Sequence, residues 1–314
     1  MSPTILVAGA TGNTGRSVVE TLSQLLDNKT ALYNHTIVAI TRSANEYAAQ
    51  QLAKIPHLQV VELSWVDVTA DWLREHNVVR AFIAPHLHIS QFAQESAFNV
   101  AALDAGVKYV VRISTSATNM RPDSPVYYAR AHWAIEAQLS SPEFESLQWT
   151  SLQPNGFSNF WFASSAAFVK HFRETGEQQP LKLMASKDAP IGIIDPYQIG
   201  VIAAHLLAHD DPSVHNKARY VLNGREDITG QQIVDMVEEY IGTKVDEVHY
   251  KEMTHVEQMA AAESPEYRNL ILSIKHALDL AWEGKSSAST TSKEIVQLGL
   301  LKRTPAETFK TLLE

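Results

Sequence analysis

Ile5-Leu6-Val7-Ala8-Gly9-Ala10-Thr11-Gly12-Asn13-Thr14-Gly15-Arg16 joins an apolar, β-prone run to a Gly-x-x-Gly-x-x-Gly turn and then to a helical pattern. Gly9, Gly12 and Gly15 let the backbone bend tightly and approach a pyrophosphate, and Thr11, Asn13 and Thr14 are the contact candidates between them. The helix that follows, signalled by Ser17-Val18-Val19-Glu20-Thr21-Leu22, offers unpaired amides and a partial positive charge at its start. A glycine triplet alone is weak evidence. With a strand before it and a helix after it, the stretch reads as a dinucleotide-phosphate cradle.

Outward from the cradle, apolar runs alternate with helical stretches. Strands are expected at 4–8, 36–41, 58–63, 78–84, 109–113 and 149–153, and helical or mixed sequence at 13–26, 46–54, 69–75, 89–105 and 126–139. Strands separated in this way need crossover helices, so the fold class is α/β: a doubly wound parallel-sheet Rossmann fold, with the ligand crevice at the carboxyl ends of the strands. After Pro154 the pattern loosens and the segment 157–172 becomes rich in aromatics. We therefore expect a nucleotide-binding domain over 1–154. Residues 155–314 are expected to form mainly a smaller C-terminal α/β substrate lobe, with some segments returning to the sheet. Asp195-Pro196 reads as an N-cap followed by a first-turn proline, and Thr229-x-x-Gln232 as a capping box. The Ser/Thr-rich stretch 286–292 reads as a flexible connection.

Composition narrows the function classes. A chain of 314 residues with 45% hydrophobic and 19% charged content is that of an ordinary globular protein. A net charge of −9, without clustered Lys and Arg, argues against a nucleic-acid-binding face. No apolar run reaches bilayer length, and Met1-Ser2-Pro3 leads straight into the first strand, so a cytoplasmic location is expected and no membrane partner. With no cysteine, thiolate catalysis, disulfides and Cys-ligated metals are excluded. The sequons Asn28-Lys29-Thr30 and Asn34-His35-Thr36 read as chance matches.

Several residues could carry chemistry. The end of the second strand meets the adenosine ribose, and it holds Thr41-Arg42-Ser43 in place of an acidic residue; Arg42, helped by Arg16, favours a 2′-phosphate and hence NADP. Asp67 could cap the adenine. The fourth strand ends in Ala84-Pro85-His86-Leu87-His88, where Ala84 and His86 would lie against the central ribose and nicotinamide side. The His-x-His pair lacks a third ligand at a supporting spacing, so no metal is expected. Carbonyl reduction needs a proton donor, a second polarising hydrogen bond and an anchor for the nicotinamide ribose; Ser114, Tyr128 and His132 could fill these places. Tyr128 and His132 are four apart and share a helix face.

Taken together, Gly9–Arg16, Arg42, Ser114-Thr115-Ser116, the segment Gln153-Pro154-Asn155-Gly156-Phe157-Ser158-Asn159 and the later 220–229 segment resemble the NmrA-like group of atypical short-chain dehydrogenase/reductases. The resemblance spans nearly the whole chain. It implies an NADP-preferring Rossmann domain with a small substrate lobe, and it adds Pro154 and Asn155 to the cofactor contacts. Members divide into reductases of quinones, enones, imines or phenolic compounds and cofactor-binding regulators without turnover. One departure stands out: the Tyr-x-x-x-Lys of short-chain reductases is Tyr128-Ala-Arg-Ala-His132 here. The leading expectation is an NADPH-dependent oxidoreductase acting on a small apolar carbonyl, quinone, enone or imine, with Phe157, Phe160, Trp161 and Phe162 walling the pocket. The rival is an NADP(H)-sensing regulatory protein that binds a protein partner. A homo-oligomer is left open.

Overall fold

The computed structural model describes residues 2–27 and 32–314; the sequon at Asn28 lies outside them. In chain order the elements are β1 (Thr4–Ala8), α1 (Gly15–Asp27), β2 (Thr36–Thr41), α2 (Tyr47–Leu52), β3 (Leu58–Glu62), α3 (Ala70–Glu75), β4 (Val78–Ile83), α4 (Gln91–Ala105), β5 (Tyr109–Ile113), α5 (Tyr127–Leu139) and β6 (Gln148–Pro154). There follow α6 (Ser158–Trp161), α7 (Ala163–Thr175), β7 (Leu181–Lys182), α8 (Pro196–Leu207), β8 (Ala218–Leu222), α9 (Gly230–Ile241), β9 (Val248–His249), α10 (Thr254–Ala262), α11 (Pro265–Leu272), α12 (Ile274–Trp282), α13 (Lys293–Leu298) and α14 (Pro305–Leu313).

Strand order is β3-β2-β1-β4-β5-β6-β8, and every register from β1 through β6 is parallel. The order reverses between β1 and β4, which makes that pair the switch point of the sheet, where a crevice opens beyond the carboxyl ends. Composition explains the placement. All five residues of β1 are buried, as a central parallel strand covered on both faces requires, whereas β3 at the edge has only half-buried and exposed positions.

The chain divides into two compact units. The first comprises Met1–Ser114, Ala131–Gln153 and Tyr197–Tyr220, and the second Thr115–Arg130, Pro154–Pro196 and Val221–Glu314. The first unit buries Leu6, Ile40, Ile83, Val110, Ile135 and Trp149 in one core. The second has a core of its own built on Phe162, Val169, Leu183, Ile233, Val237 and Phe309, with the two-stranded pair β7-β9 beside helical segments. In it the capping box is complete: Thr229 accepts from the Gln232 amide and the Gln232 side chain accepts from the Thr229 amide. Among the described residues, no helix is long and apolar enough to cross a membrane.

Candidate cofactor and catalytic site

The glycine turn owes its shape to close backbone packing. Gly9 sits at φ +83°. The Gly12 amide donates to the Gly9 carbonyl over 3.0 Å, closing the turn. A Cβ on Gly15 would lie 2.1 Å from the Gly9 carbonyl oxygen and 2.8 Å from Ala10 Cα, so the start of α1 presses directly on the turn. Gly12 and Asn13 are exposed at its tip, Thr11 is half-buried, and Thr14 is buried, its carbonyl taking the Ser17 hydroxyl at 2.9 Å. From the other side α8 contributes Gly200, where a Cβ would stand 2.0 Å from Ser17 Oγ. At the start of α1 the Arg16 amide donates to the Gly12 carbonyl at 3.4 Å and the Val18 amide to the Thr14 carbonyl at 3.3 Å, so what the helix start offers an anion is chiefly its dipole end. Ala84 follows β4 against the turn, its amide reaching the Ala8 carbonyl at 3.4 Å.

The end of β2 is held by two polar contacts. The Thr41 hydroxyl donates to the Ser43 carbonyl at 3.3 Å, and Glu62 at the end of β3 accepts from the Ala44 amide at 2.9 Å. Arg42 is thereby carried on a fixed turn with its side chain exposed. Its charge reaches His86, whose pKa lies below the ordinary histidine value through partial desolvation first, and then through Arg42 and His88. His88 Nδ1 accepts from the Ser90 amide just before α4. Arg16 is exposed and its Nε contacts Glu20 at 2.8 Å, while the other Glu20 oxygen accepts from Tyr197 at 3.0 Å. Asp67, itself exposed, ends the short turn after β3 that buries Trp65. Among the described residues no three His, Cys, Asp or Glu side chains gather as a metal site.

Beneath the ends of β5 and β6 lies a buried polar network that the sequence patterns do not announce. Arg112 is wholly buried; its Nε contacts Glu95 at 2.5 Å, one Nη donates to Ser151 at 3.0 Å, and the other lies 2.8 Å from His132 Nδ1. Glu136 accepts from Ser151 at 2.5 Å, Ser114 at 3.0 Å and Gln153 at 3.1 Å, and its second oxygen pairs with Arg219 at 2.7 Å. Ser114 thus gives its hydroxyl proton to a carboxylate, so what it can offer a ligand is lone pairs. His132 is held well below its ordinary pKa, by burial first and by the Arg112 charge second.

This depression has a measurable sign. A histidine that stays neutral when folded but protonates when unfolded costs stability as pH falls through its unfolded value near 6.5, because the unfolded chain then binds the extra proton. Stability attributable to His132 is therefore complete above about pH 6.5, and below that it falls by about 1.4 kcal/mol per pH unit until the folded value is reached. Denaturant unfolding at stepped pH is expected to show this slope in the native protein and a shallower one in His132→Gln.

In the second unit, Tyr128 lies in the first turn of α5, half-buried and packed against that unit's core. Burial pushes the phenol up to about 12, against the opposing hydrogen bond with Thr115. The residue before it, Tyr127, is capped through its amide by Ser273 Oγ at 3.1 Å. Pro154 ends β6, and Asn155 is tied through its amide to the Leu222 carbonyl at 2.9 Å and through its side chain to Asn223.

Two expectations need correction. Trp161 and Phe162 do not wall a pocket: both are core, Phe162 meeting the Phe309 ring edge-on at 5.5 Å, while Phe157 and Phe160 stay half-buried. The stretch 286–292 is not a flexible connection, because Asp227 accepts from the Ser287 hydroxyl and the Ala288 amide, Asn223 donates to Thr290 and Thr291, and Ser292 takes the Val221 amide. Serine and threonine there serve as hydrogen-bonding residues around a short turn, a use that composition cannot distinguish from a linker.

Arg112, Glu95, Gln91, Glu136 and Gly200 are the site-supporting residues missed by sequence reasoning. Their signal was faint but present: Arg112 interrupts the apolar strand Tyr109-Val110-Val111-Arg112-Ile113, and a charge inside a buried strand demands partners.

A family model for the NmrA-like family matches residues 1–292. No curated protein matches the sequence. Among solved structures, the chain is similar to an NADPH-dependent quinone oxidoreductase of Escherichia coli, complexed with NADPH (20% identity, 99% of this chain and 100% of that one, TM-score 0.70). It is also similar to the triphenylmethane reductase of a Citrobacter species complexed with NADP(H) (22%, 99% and 100%, TM-score 0.70). A third similar structure is the negative transcriptional regulator Nmra in complex with NAD (16%, 99% and 91%, TM-score 0.67).

Proposed function

The chain belongs to the NmrA-like family, and we propose that it is an NADPH-dependent oxidoreductase delivering hydride to a small apolar carbonyl, quinone, enone or imine. The observation that carries this reading is the cradle, in which a Cβ on Gly15 would overlap the turn, so that only glycine lets the positive end of α1 press against it. Arg42 at the end of β2 would hold the 2′-phosphate, Gly9, Thr11, Gly12, Asn13, Thr14 and Gly15 the pyrophosphate, and Asp67 the adenine. Ala84, His86, Ser114, His132, Pro154 and Asn155 would line the remainder. Bound NADPH supplies the hydride. The reductases among the similar structures support this assignment of cofactor and chemistry.

The chain's own groups narrow the substrate. Tyr128 holds its proton tightly and His132 is neutral, so neither is poised as a strong acid. Reduction of a simple aldehyde or ketone develops a basic alkoxide that must be protonated, whereas quinones and enones leave a delocalised anion that water can protonate later. Quinones and enones therefore suit this site best. With a panel of quinones, enones, imines and aldehydes, NADPH oxidation is expected to be fastest for the first two. Tyr128→Phe should lower aldehyde turnover by about 100-fold and leave quinone turnover within a few-fold.

Cofactor choice can be tested separately. Arg42→Ala removes a charge-assisted phosphate contact worth about 1.5–3 kcal/mol, so NADPH binding is expected to weaken by roughly 10- to 100-fold while NADH binding changes little. Equal losses for both cofactors would remove Arg42 from the 2′-phosphate. One observation favours the second reading, an NADP(H)-sensing regulatory protein: His132 stands where short-chain reductases carry lysine. Tight NADPH binding without oxidation against the whole panel, together with a protein partner captured only in one cofactor state, would select the regulator.

A further inference from the structure

We infer that Gly200 is a positioning residue for the cofactor: it lets α8 grip the first turn of α1, and the grip sets where that turn stands against Gly9. The inference rests on the proposed cofactor reading for its use, whereas the grip itself is geometry. Gly200 is buried inside the twelve-residue helix α8, between Ile199 and Val201. Glycine in a helix interior weakens it, because the unfolded chain is freer there and no side chain packs. Helical φ does not require glycine, so the reason is space. A Cβ at 200 would lie 2.0 Å from Ser17 Oγ, 2.2 Å from the Thr14 carbonyl oxygen and 3.0 Å from the Val18 amide nitrogen. Gly106 and Gly242 show the contrast, for they end their helices at positive φ with nothing within 4 Å of an added Cβ.

The atoms that α8 grips belong to the start of the cradle helix. The Thr14 carbonyl accepts from the Ser17 hydroxyl at 2.9 Å and from the Val18 amide at 3.3 Å, so it cannot swing aside without releasing both. A second contact joins the same two helices: Tyr197 donates to Glu20 at 3.0 Å, and Glu20 pairs with Arg16. Retreat of α8 would pull Tyr197 off Glu20 and lift Ile199, Ile202 and Ala203 out of the core, where all three are buried. Movement of α1 into the turn is barred as well, because Gly15 already packs on Gly9 and Ala10 too closely for a methyl. The first turn of α1 is thus held by two contacts, and each needs a glycine. A methyl at 200 displaces that turn and with it the glycine turn. The pyrophosphate is common to NADPH and NADH, so both should lose affinity alike, in contrast to the selective effect of Arg42→Ala.

The test compares the native full chain with Gly200→Ala. NADPH and NADH are titrated separately by fluorescence, with circular dichroism to verify folding. Both affinities are expected to fall by about tenfold and by the same factor. Proton–nitrogen spectra of the chain labelled with ¹⁵N-glycine, recorded without cofactor, should show the Gly9 and Gly12 amides displaced while Gly106 and Gly242 stay in place. Either native affinities or unmoved Gly9 and Gly12 amides in a folded Gly200→Ala overturns the inference and leaves Gly200 as core packing. A loss confined to NADPH overturns it too, since the effect would then run through the 2′-phosphate. If the native chain binds neither cofactor, the functional reading fails, while displaced amides still support the grip and unmoved ones overturn it. Should Gly200→Ala not fold, Ser17→Thr adds its methyl on the α1 side of the same contact, keeps the hydroxyl, and is read by the same outcomes.

Discussion

Gly15→Ala is expected to weaken NADPH binding by more than about 100-fold while leaving a folded protein. The added methyl would stand 2.1 Å from the Gly9 carbonyl oxygen, 2.7 Å from its carbon and 2.8 Å from Ala10 Cα, all backbone atoms that cannot rotate away. Relief must come from moving α1 away from the turn, and overpacking of this kind costs about 1–3 kcal/mol of stability, occasionally more. The same movement separates the helix-start amides from the place where the turn would present a pyrophosphate, so binding loses geometry as well as stability. Gly12→Ala is the graded control. There the methyl meets only the Gly9 oxygen, at 3.2 Å, on an exposed residue, and a loss of about tenfold is expected. Titration of NADPH fluorescence, with circular dichroism to verify folding, separates the two effects. Native affinity in Gly15→Ala would remove the turn from the cofactor site.

The cradle was legible because its chemistry is local. A strand, three glycines and a helix are neighbours in sequence, so spacing carries most of the geometry, and β1, β2 and β5 fall at the residues their apolar runs predict. The place of Arg42 directly after β2 was legible for a related reason, since the apolar run that ends at Thr41 marks the strand end. The network around Arg112 was not. Its members come from α4, β5, α5, β6 and β8, and nothing in the spacing of Glu95, Arg112, Glu136, Ser151 and Arg219 brings them together before the sheet does. The aromatic segment failed differently. Four aromatic residues within six positions satisfy a core and a pocket wall equally well, and packing put Trp161 and Phe162 inside while Phe157 and Phe160 stayed partly exposed.

Glu136→Leu is expected to be the most destabilising single change in the first unit. The carboxylate accepts from Ser114, Ser151, Gln153 and Arg219 and lies 3.5 Å from Arg112, so a leucine leaves three neutral donors and two arginines short of an acceptor at once. Breaking a buried ion pair by removing one partner costs about 3–5 kcal/mol, a large part of the 5–15 kcal/mol that holds a typical domain folded. Glu136→Gln keeps the shape and one acceptor oxygen and should cost roughly half as much, while Arg219→Ala should cost less than about 1 kcal/mol because Arg219 is 44% exposed and water replaces its contact. Urea midpoints are expected to fall in the order Arg219→Ala, Glu136→Gln, Glu136→Leu. A Glu136→Leu protein within about 1 kcal/mol of the native one would mean that the buried charges contribute no more than apolar packing does. The glutamine variant also bears on the site itself: with no full negative charge to receive it, the Ser114 proton is held less firmly and becomes available to a ligand oxygen. A gain in aldehyde over quinone turnover in Glu136→Gln, set against its lower stability, would show that Glu136 keeps Ser114 from polarising a carbonyl, and an unchanged ratio would show that it does not.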